Sequence, residues 1–160
     1  MDAVFSHHRI EHLYYHQALL AIKEFFRVLK SDGFLLIVCP DLRSICELVV
    51  QDRLSEEMFE SPIGRIAPID MIYGHRLSIK NGATSMAHRS GFTRTTLVDI
   101  LRSAGFKSFA AVARPYPCLD IWAFASKCML SRDELRSLAS EHYPGEAPDL
   151  PWQQMTGLVG

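Results

Sequence analysis

The stretch Phe34-Leu-Leu-Ile-Val-Cys39-Pro40-Asp41 decides the fold. Its six consecutive apolar residues show no polar alternation, which is typical of a strand covered on both faces, as in the parallel sheets of α/β proteins. Pro40 ends the strand, and the Asp41 carboxylate is expected to cap a helix that runs to about Val50. The stretch therefore predicts a strand followed by a helix in an α/β fold.

Regular elements are predicted on both sides of this stretch from apolar periodicity, helix caps and turns. The connection between the two strands predicted near the end of the chain is short enough for an antiparallel pair. In chain order, the flanking elements are a short strand over 2–6, a helix that ends at the turn 30–33, a helix from the cap Thr93 to Gly105, strands over 108–114 and 119–126, and a helix opened by the capping box 131–134.

A single domain accounts for most of the chain. A protein of 160 residues is long enough to remove roughly 70% of its unfolded surface from water on folding, and we assign residues 1–143 to this domain. Within it, residues 51–89 have weak periodicity but enough aromatic and aliphatic side chains for a folded, lid-like excursion. Residues 144–160, rich in proline and glycine, are expected to form an extended C-terminal arm.

Charge and hydropathy exclude several classes of function. Seventeen Lys and Arg against eighteen Asp and Glu leave a net charge of −1, so no basic field attracts nucleic acid or an anionic membrane. The longest apolar run is far shorter than the roughly 18–20 residues needed to cross a bilayer. The N-terminus lacks the pattern of a signal peptide, and the four cysteines show no C-x-x-C spacing. We therefore expect a cytoplasmic protein with reduced thiols and no nucleic-acid or membrane partner.

Several motifs, in their order and spacing, resemble the C-terminal half of a class I S-adenosylmethionine-dependent methyltransferase. They are residues 2–6, like the family's fourth strand; Ile10-Glu-His-Leu13, like its "LEHL"; Phe26-Arg-Val-Leu-Lys-Ser-Asp-Gly33, like its "RVLKPGG"; 34–41, like its fifth strand; and 91–93 with 104–106. The resemblance extends to about residue 127. It implies half of a Rossmann-like methyltransferase fold: a mainly parallel sheet of order 4-5-7-6 with one antiparallel strand, and helices on the faces.

The resemblance also shows what the sequence lacks. The family's cofactor site begins with a G-x-G-x-G turn after the first strand and an acidic residue on the second strand, and the nine glycines of this sequence never occur as G-x-G. S-adenosylmethionine is the implied cofactor, yet most of its cradle is absent. We expect methyl transfer to an acceptor that the sequence does not identify, with the lone chain incomplete or inactive. The alternative is a catalytically dead remnant that acts as a dimeric interaction module.

The resemblance further predicts a partner. In the whole fold the fourth strand is paired on both sides, so here the strand over 2–6 would have one open edge, which proteins rarely leave uncovered. We expect a homodimer across this edge, or a partner chain that supplies the missing half.

Candidate site residues lie where the resemblance places the ligand end of the sheet. Ser6 and His7 are expected to contact the cofactor. His8 and His12 are candidates for the base that removes a proton from the acceptor. Substrate contacts are expected from Glu11 and, in the excursion, from Tyr73, His75 and His88; hydrogen bonds that only fix the excursion are the alternative role of the last three.

A histidine stripe offers a third interpretation. His8, His12 and His16 lie at i, i+4 and i+8, which on an unbroken helix would place three imidazoles on one face, as in a small His-rich protein that binds Zn or Ni. The methyltransferase-like helix begins again near His16, however, and would interrupt the stripe. We therefore assign no metal ligand from the sequence.

Overall fold

The structure is a computed structural model, and it describes residues 1–143. The predicted arm over 144–160 lies outside the described residues. The strands are β1 Ala3–His7, β2 Phe34–Pro40, β3 Phe59–Ser61, β4 Gly64–Ile66, β5 Ser108–Ala113 and β6 Asp120–Ser126. The helices are α1 Tyr15–Val28, α2 Leu42–Val50, α3 Pro68–Tyr73, α4 Arg76–Lys80, α5 Arg94–Ala104 and α6 Arg132–His142, with 3₁₀ turns at Ile10–His12 and Thr84–Met86. This confirms the α/β class.

Four strands form the main sheet, in the order β1-β2-β6-β5. β1 and β2 pair in parallel, whereas β6 is antiparallel to both β2 and β5. The expectation of a mainly parallel sheet is therefore wrong at the level of pairing, since the sheet is mixed and two of its three pairings are antiparallel. The cause is the short connection after β5, which returns the chain as β6 in the opposite direction between β2 and β5.

The sheet is the middle layer of three. Because side chains alternate along a strand, β2 presents Leu35, Ile37 and Cys39 to the core under α1 and α5. Its Leu36 and Val38 face the core under α6 on the opposite side. The apolar run of β2 is thus buried on both faces, as its composition predicts.

Side-chain caps begin the helices that flank the sheet. The Asp41 carboxylate accepts hydrogen bonds from the Arg43 backbone N–H at 3.3 Å and the Ser44 hydroxyl at 2.5 Å, and so begins α2 directly after β2. Thr93 caps α5 and Ser131 caps α6. The predicted caps at Asp41, Thr93 and Ser131 are confirmed.

The segment 51–89 is folded. It contains the β3–β4 hairpin, α3, α4 and the second 3₁₀ turn. A third apolar cluster joins it to the domain, with Ile45 and Leu48 of α2 packed together with Ile66 and Met71 of the segment. Its function as a lid stays a prediction.

Across residues 1–143, no helix has the length and apolar character needed to cross a membrane.

Gly74 lets two parts of the segment 51–89 approach each other closely. It ends α3 with φ +91°, and a Cβ atom there would lie 2.0 Å from the Met86 carbonyl oxygen and 2.9 Å from the Ala87 Cα. Gly82 has a similar φ of +96°, but a Cβ there would meet nothing within 4 Å. At Gly82 the positive φ opposes a side chain without any steric contact, whereas at Gly74 both the backbone conformation, with a ψ of 160°, and the close approach oppose one.

We expect Gly82→Ala to lower the free energy of unfolding by about 1–2 kcal/mol, because only the positive φ opposes a side chain. Gly74→Ala should cost about 1–3 kcal/mol more, because its methyl group also displaces the backbone at Met86 and Ala87. Urea denaturation followed by circular dichroism measures both values. Equal losses for the two variants would contradict the close approach at Gly74.

Candidate functional site

A cavity of about 500 Å³ lies between the C-terminal end of β1 and the segment 51–89. One wall is polar and is formed by His7, the turn after β1 and the 3₁₀ turn Ile10–His12, together with His75 and His88 of the segment 51–89. The opposite wall is largely apolar and includes Phe59, Ile63 and Met71. A cleft with an apolar wall and a few converging polar groups is the usual form of a small-molecule site.

Six of the eight site residues predicted from the sequence line this cavity. Ser6 and Tyr73 do not. Ser6 is buried within β1, and its hydroxyl has no hydrogen-bond partner in residues 1–143; Tyr73 points away, with 62% of its surface exposed. The six that the fold brings together are His7, His8, Glu11, His12, His75 and His88.

His8 occupies a strained backbone conformation at the end of β1. Its φ of +47° lies in the left-handed region, which is uncommon for residues other than glycine. Its backbone N–H still donates to the Val38 carbonyl at 2.9 Å, while its Nδ1 lies 3.2 Å from Glu11 Oε1. The turn therefore directs the His8 ring onto the Glu11 carboxylate.

Glu11 is a buried acid that joins the two sides of the cavity. Its surface is only 1% exposed. Its backbone carbonyl accepts hydrogen bonds from the N–H groups of Arg89 at 2.8 Å and Ser90 at 3.1 Å. Its Oε1 faces His8, but its Oε2 is buried with no hydrogen-bond partner among the residues that the structure describes.

His12 and His88 meet in the polar wall, one from the 3₁₀ turn Ile10–His12 and the other from the segment 51–89. Their rings are in edge contact, with centroids 4.8 Å apart. His12 Nδ1 lies 3.3 Å from the Ala87 carbonyl oxygen, and His88 Nδ1 lies 2.9 Å from the Met71 carbonyl oxygen. Burial lowers the pKa of His88, although its contact with the Met71 carbonyl acts in the opposite direction.

His7 and His75 occupy the ends of the polar wall. The His7 ring lies next to the rings of His8 and Trp122, with centroid distances of 4.5 Å and 6.4 Å. Burial lowers the pKa of His7, and the neighbouring His8 lowers it further. His75 is buried, and its Nδ1 lies 2.8 Å from the Ser78 hydroxyl. It also accepts the Ser78 backbone N–H at 3.4 Å, which makes it the cap of α4.

Asp70 is a site residue that sequence reasoning missed. Asp70 lines the cavity and is buried. Its carboxylate accepts hydrogen bonds from Arg76 Nε at 2.7 Å and from the Ala67 backbone N–H at 3.0 Å. Burial raises the pKa of Asp70, but these hydrogen bonds outweigh burial and the pKa is lowered. The pattern Ala67-Pro-Ile-Asp70, with proline at N1 and an acid at N3 of a helix, is a signal that could have found it.

The histidine stripe is not formed. The 3₁₀ turn that ends at His12 is followed by extended backbone at Leu13 and Tyr14, and α1 begins only at Tyr15. His16 is exposed and stacks on Tyr14, with ring centroids 6.0 Å apart. A metal site built on His8, His12 and His16 is therefore wrong.

The described residues do not fit S-adenosylmethionine by themselves. The glycine in contact with β1 is Gly33, whose Cβ would lie 3.0 Å from the carbonyl oxygens of Met1 and Asp2. That is the N-terminal end of β1, opposite the end at which such folds bind ligands. Ser6 and His7, the predicted cofactor contacts, provide no Gly-rich backbone turn.

Comparison with known proteins gives similarities in structure only. No protein-family model and no curated protein matches the sequence. Similar solved structures include an S-adenosylmethionine-dependent methyltransferase from Thermotoga maritima (18% identity, 79% of this chain and 56% of that one, TM-score 0.46). The methyltransferase CalO6 is 15% identical, with 78% of this chain and 35% of that one covered and a TM-score of 0.47. An O-methyltransferase family protein from Burkholderia thailandensis is also 15% identical, with 78% of this chain and 30% of that one covered and a TM-score of 0.43.

The chain thus spans between 30% and 56% of the length of these three proteins. All three are methyltransferases, the class of protein that the sequence motifs resemble.

The strained turn at His8 can be tested by exchanging its side chain. His8→Asn and His8→Val both remove the contact with Glu11, but asparagine tolerates the left-handed region. We expect the free energy of unfolding of His8→Val to be about 1–2 kcal/mol lower than that of His8→Asn, because a β-branched residue does not tolerate that region. Urea denaturation of the two variants is the measurement, and equal stabilities would contradict the conformation described.

Proposed function

We propose that this chain is the acceptor-binding part of an S-adenosylmethionine-dependent methyltransferase, and that it needs a cofactor-binding part from outside residues 1–143. The observation that carries the proposal is the cavity at the C-terminal end of β1. It brings polar side chains that are distant in sequence, from Glu11 to His88, against one apolar wall. Ligands of open α/β sheets bind at this end of the strands.

The topology supports the same proposal. In it, β1, β2, β6 and β5 correspond to the family's fourth, fifth, seventh and sixth strands, and the segment 51–89 is the lid over the acceptor. The order β1-β2-β6-β5 agrees with this correspondence. The sequence motifs at 10–13 and 26–33 occupy the turn after β1 and the approach to β2, as the resemblance requires.

The two walls of the cavity suit different parts of an acceptor. The apolar side chains Phe59, Ile63 and Met71 would hold its carbon skeleton and exclude water. The histidines opposite would orient its hydroxyl or amine, and His8 is our candidate for the base that accepts its proton. Glu11 supports that role, since a carboxylate on Nδ1 fixes the ring and leaves Nε2 for the acceptor.

A titration of the purified chain with S-adenosylhomocysteine tests whether a cofactor part is missing. We expect no binding up to millimolar ligand, because residues 1–143 provide no Gly-rich turn. Micromolar binding, about −8 kcal/mol, would contradict this expectation and show that the protein forms a complete cofactor-binding site by itself.

A second arm of the experiment tests acceptor binding. We expect members of a panel of phenols, alcohols and aromatic amines to raise the melting temperature of the wild type. Ile63→Trp, which fills the cavity, should abolish the effect, whereas Val50→Trp, at an exposed site on α2, should keep it. A panel without effect on the wild type would favour the alternative of a catalytically inactive interaction module.

The open edge of β1 supports a partner as part of this proposal. β1 pairs with β2 alone within residues 1–143, and Phe5 on this strand is 62% exposed. When no cofactor-binding part is bound, a second copy of the chain covers this edge in our proposal, because an uncovered apolar edge strand invites pairing. A partner chain that carries the missing half is the alternative occupant.

Light scattering of purified variants distinguishes these occupants. We expect a wild-type dimer that Phe5→Asp converts to a monomer, because a buried carboxylate would oppose pairing. The control is Val50→Asp, at a position that is 85% exposed on α2. A Phe5→Asp chain that stays dimeric would contradict this interface, and a monomeric wild type would favour the partner chain.

A further inference from the structure

Three side chains in the polar wall of the cavity form a cluster of metal-ligating groups. Glu11, His12 and His88 each offer one donor atom, and these atoms all lie within 4.8 Å of one another. We infer that this cluster binds one divalent transition-metal ion of the Zn²⁺ type. The inference is independent of methyl transfer, since it concerns only these residues and the ion.

The two imidazoles are oriented for metal binding. In each ring, Nδ1 faces a backbone carbonyl, that of Ala87 for His12 and that of Met71 for His88. A ring nitrogen that faces a carbonyl carries the proton, so Nε2 keeps its lone pair and becomes the ligand atom. Metal-binding histidines have this arrangement almost without exception, because the outer hydrogen bond fixes tautomer and ring direction.

The carboxylate of Glu11 supplies the second, independent observation. Only 1% of the Glu11 surface is exposed, and its Oε2 has no hydrogen-bond partner in the described part of the chain. Within that part, its ion-pair contact is with His8, and no lysine or arginine lies within salt-bridge distance. A buried carboxylate with one oxygen unpartnered and no lysine or arginine nearby is costly, and a metal ion between Glu11, His12 and His88 would satisfy that oxygen.

The donor set selects the class of ion. Two imidazole nitrogens and one carboxylate oxygen suit Zn²⁺ and its first-row neighbours, whereas Ca²⁺ and Mg²⁺ prefer sites made of oxygen alone. Three protein ligands leave coordination positions open toward the cavity of about 500 Å³. A water molecule, or an oxygen of a bound small molecule, would occupy them.

Metal binding is measured on the full chain without an affinity tag, after removal of metal by a chelator. We expect saturable binding of one Co²⁺ per chain, with visible d–d absorption and without the thiolate charge-transfer band that cysteine ligands would give. Zn²⁺ should displace the Co²⁺. Titrations that show no saturable binding, or a thiolate band at saturation, would overturn the inference.

Variants of the cluster locate the site. Glu11→Gln and His88→Gln should each weaken Co²⁺ binding by at least ~100-fold, since loss of outer partners alone costs about 10–100-fold. His16→Gln, at the exposed histidine of α1, should keep the wild-type affinity. Equal affinities for all four proteins would place the ion elsewhere and refute the assignment.

Stability measurements separate a ligand from a merely structural residue. Glu11→Gln removes a buried charge at constant shape, so the metal-free variant should be at least as stable to urea as the wild type. Zn²⁺ should raise the melting temperature of the wild type and of His16→Gln, but not that of Glu11→Gln. A metal-free Glu11→Gln chain that is strongly destabilised, with Zn²⁺ stabilisation retained, would show that the carboxylate serves the fold instead.

Discussion

Burial of β2 on both faces is the constraint on which the rest of the structure depends. Removing its apolar side chains from water requires helices α1 and α5 on one side and α6 on the other. β1 pairs with β2 in parallel, so both strands end at the same edge of the sheet. The cavity lies at that edge because the chain has to turn there, with polar groups, before it can begin α1.

The polar wall departs from the rules that govern the core. It holds a histidine in the left-handed region, a buried carboxylate with an unpartnered oxygen and two histidines in edge contact. The backbone strain at His8 and the unpartnered oxygen of Glu11 oppose folding locally, and the apolar layers on either side of the sheet offset them. Strain and buried polar groups that persist next to a cavity are typical of functional sites.

Local signals in the sequence account for most of the fold. The apolar run of β2 and the caps Asp41, Thr93 and Ser131 act over a few residues, so each could be predicted from its neighbours alone. The short connection between β5 and β6 likewise predicted their antiparallel pairing. The pairings of β2 with β1 and β6 could not be predicted from local signals, because they depend on where β6 inserts between β2 and β5.

The candidate site, too, could be predicted only in part from the sequence. The resemblance predicted which residues lie at the ligand end of the sheet, and six of the eight line one cavity. The association of His12 with His88, across 75 intervening residues, depends on how the segment 51–89 packs. No spacing rule contains that information, and the regular stripe of His8, His12 and His16, which spacing did suggest, is broken by two extended residues.

The Glu11 carbonyl accepts hydrogen bonds from the N–H groups of both Arg89 and Ser90. These two hydrogen bonds attach the end of the segment 51–89 to the 3₁₀ turn Ile10–His12. The β3–β4 hairpin, at the other end of the segment, has no such attachment to that turn in residues 1–143. In the proposed function, the hairpin would therefore be the part of the segment that moves, and an acceptor that entered past it would meet the histidines with its leading end.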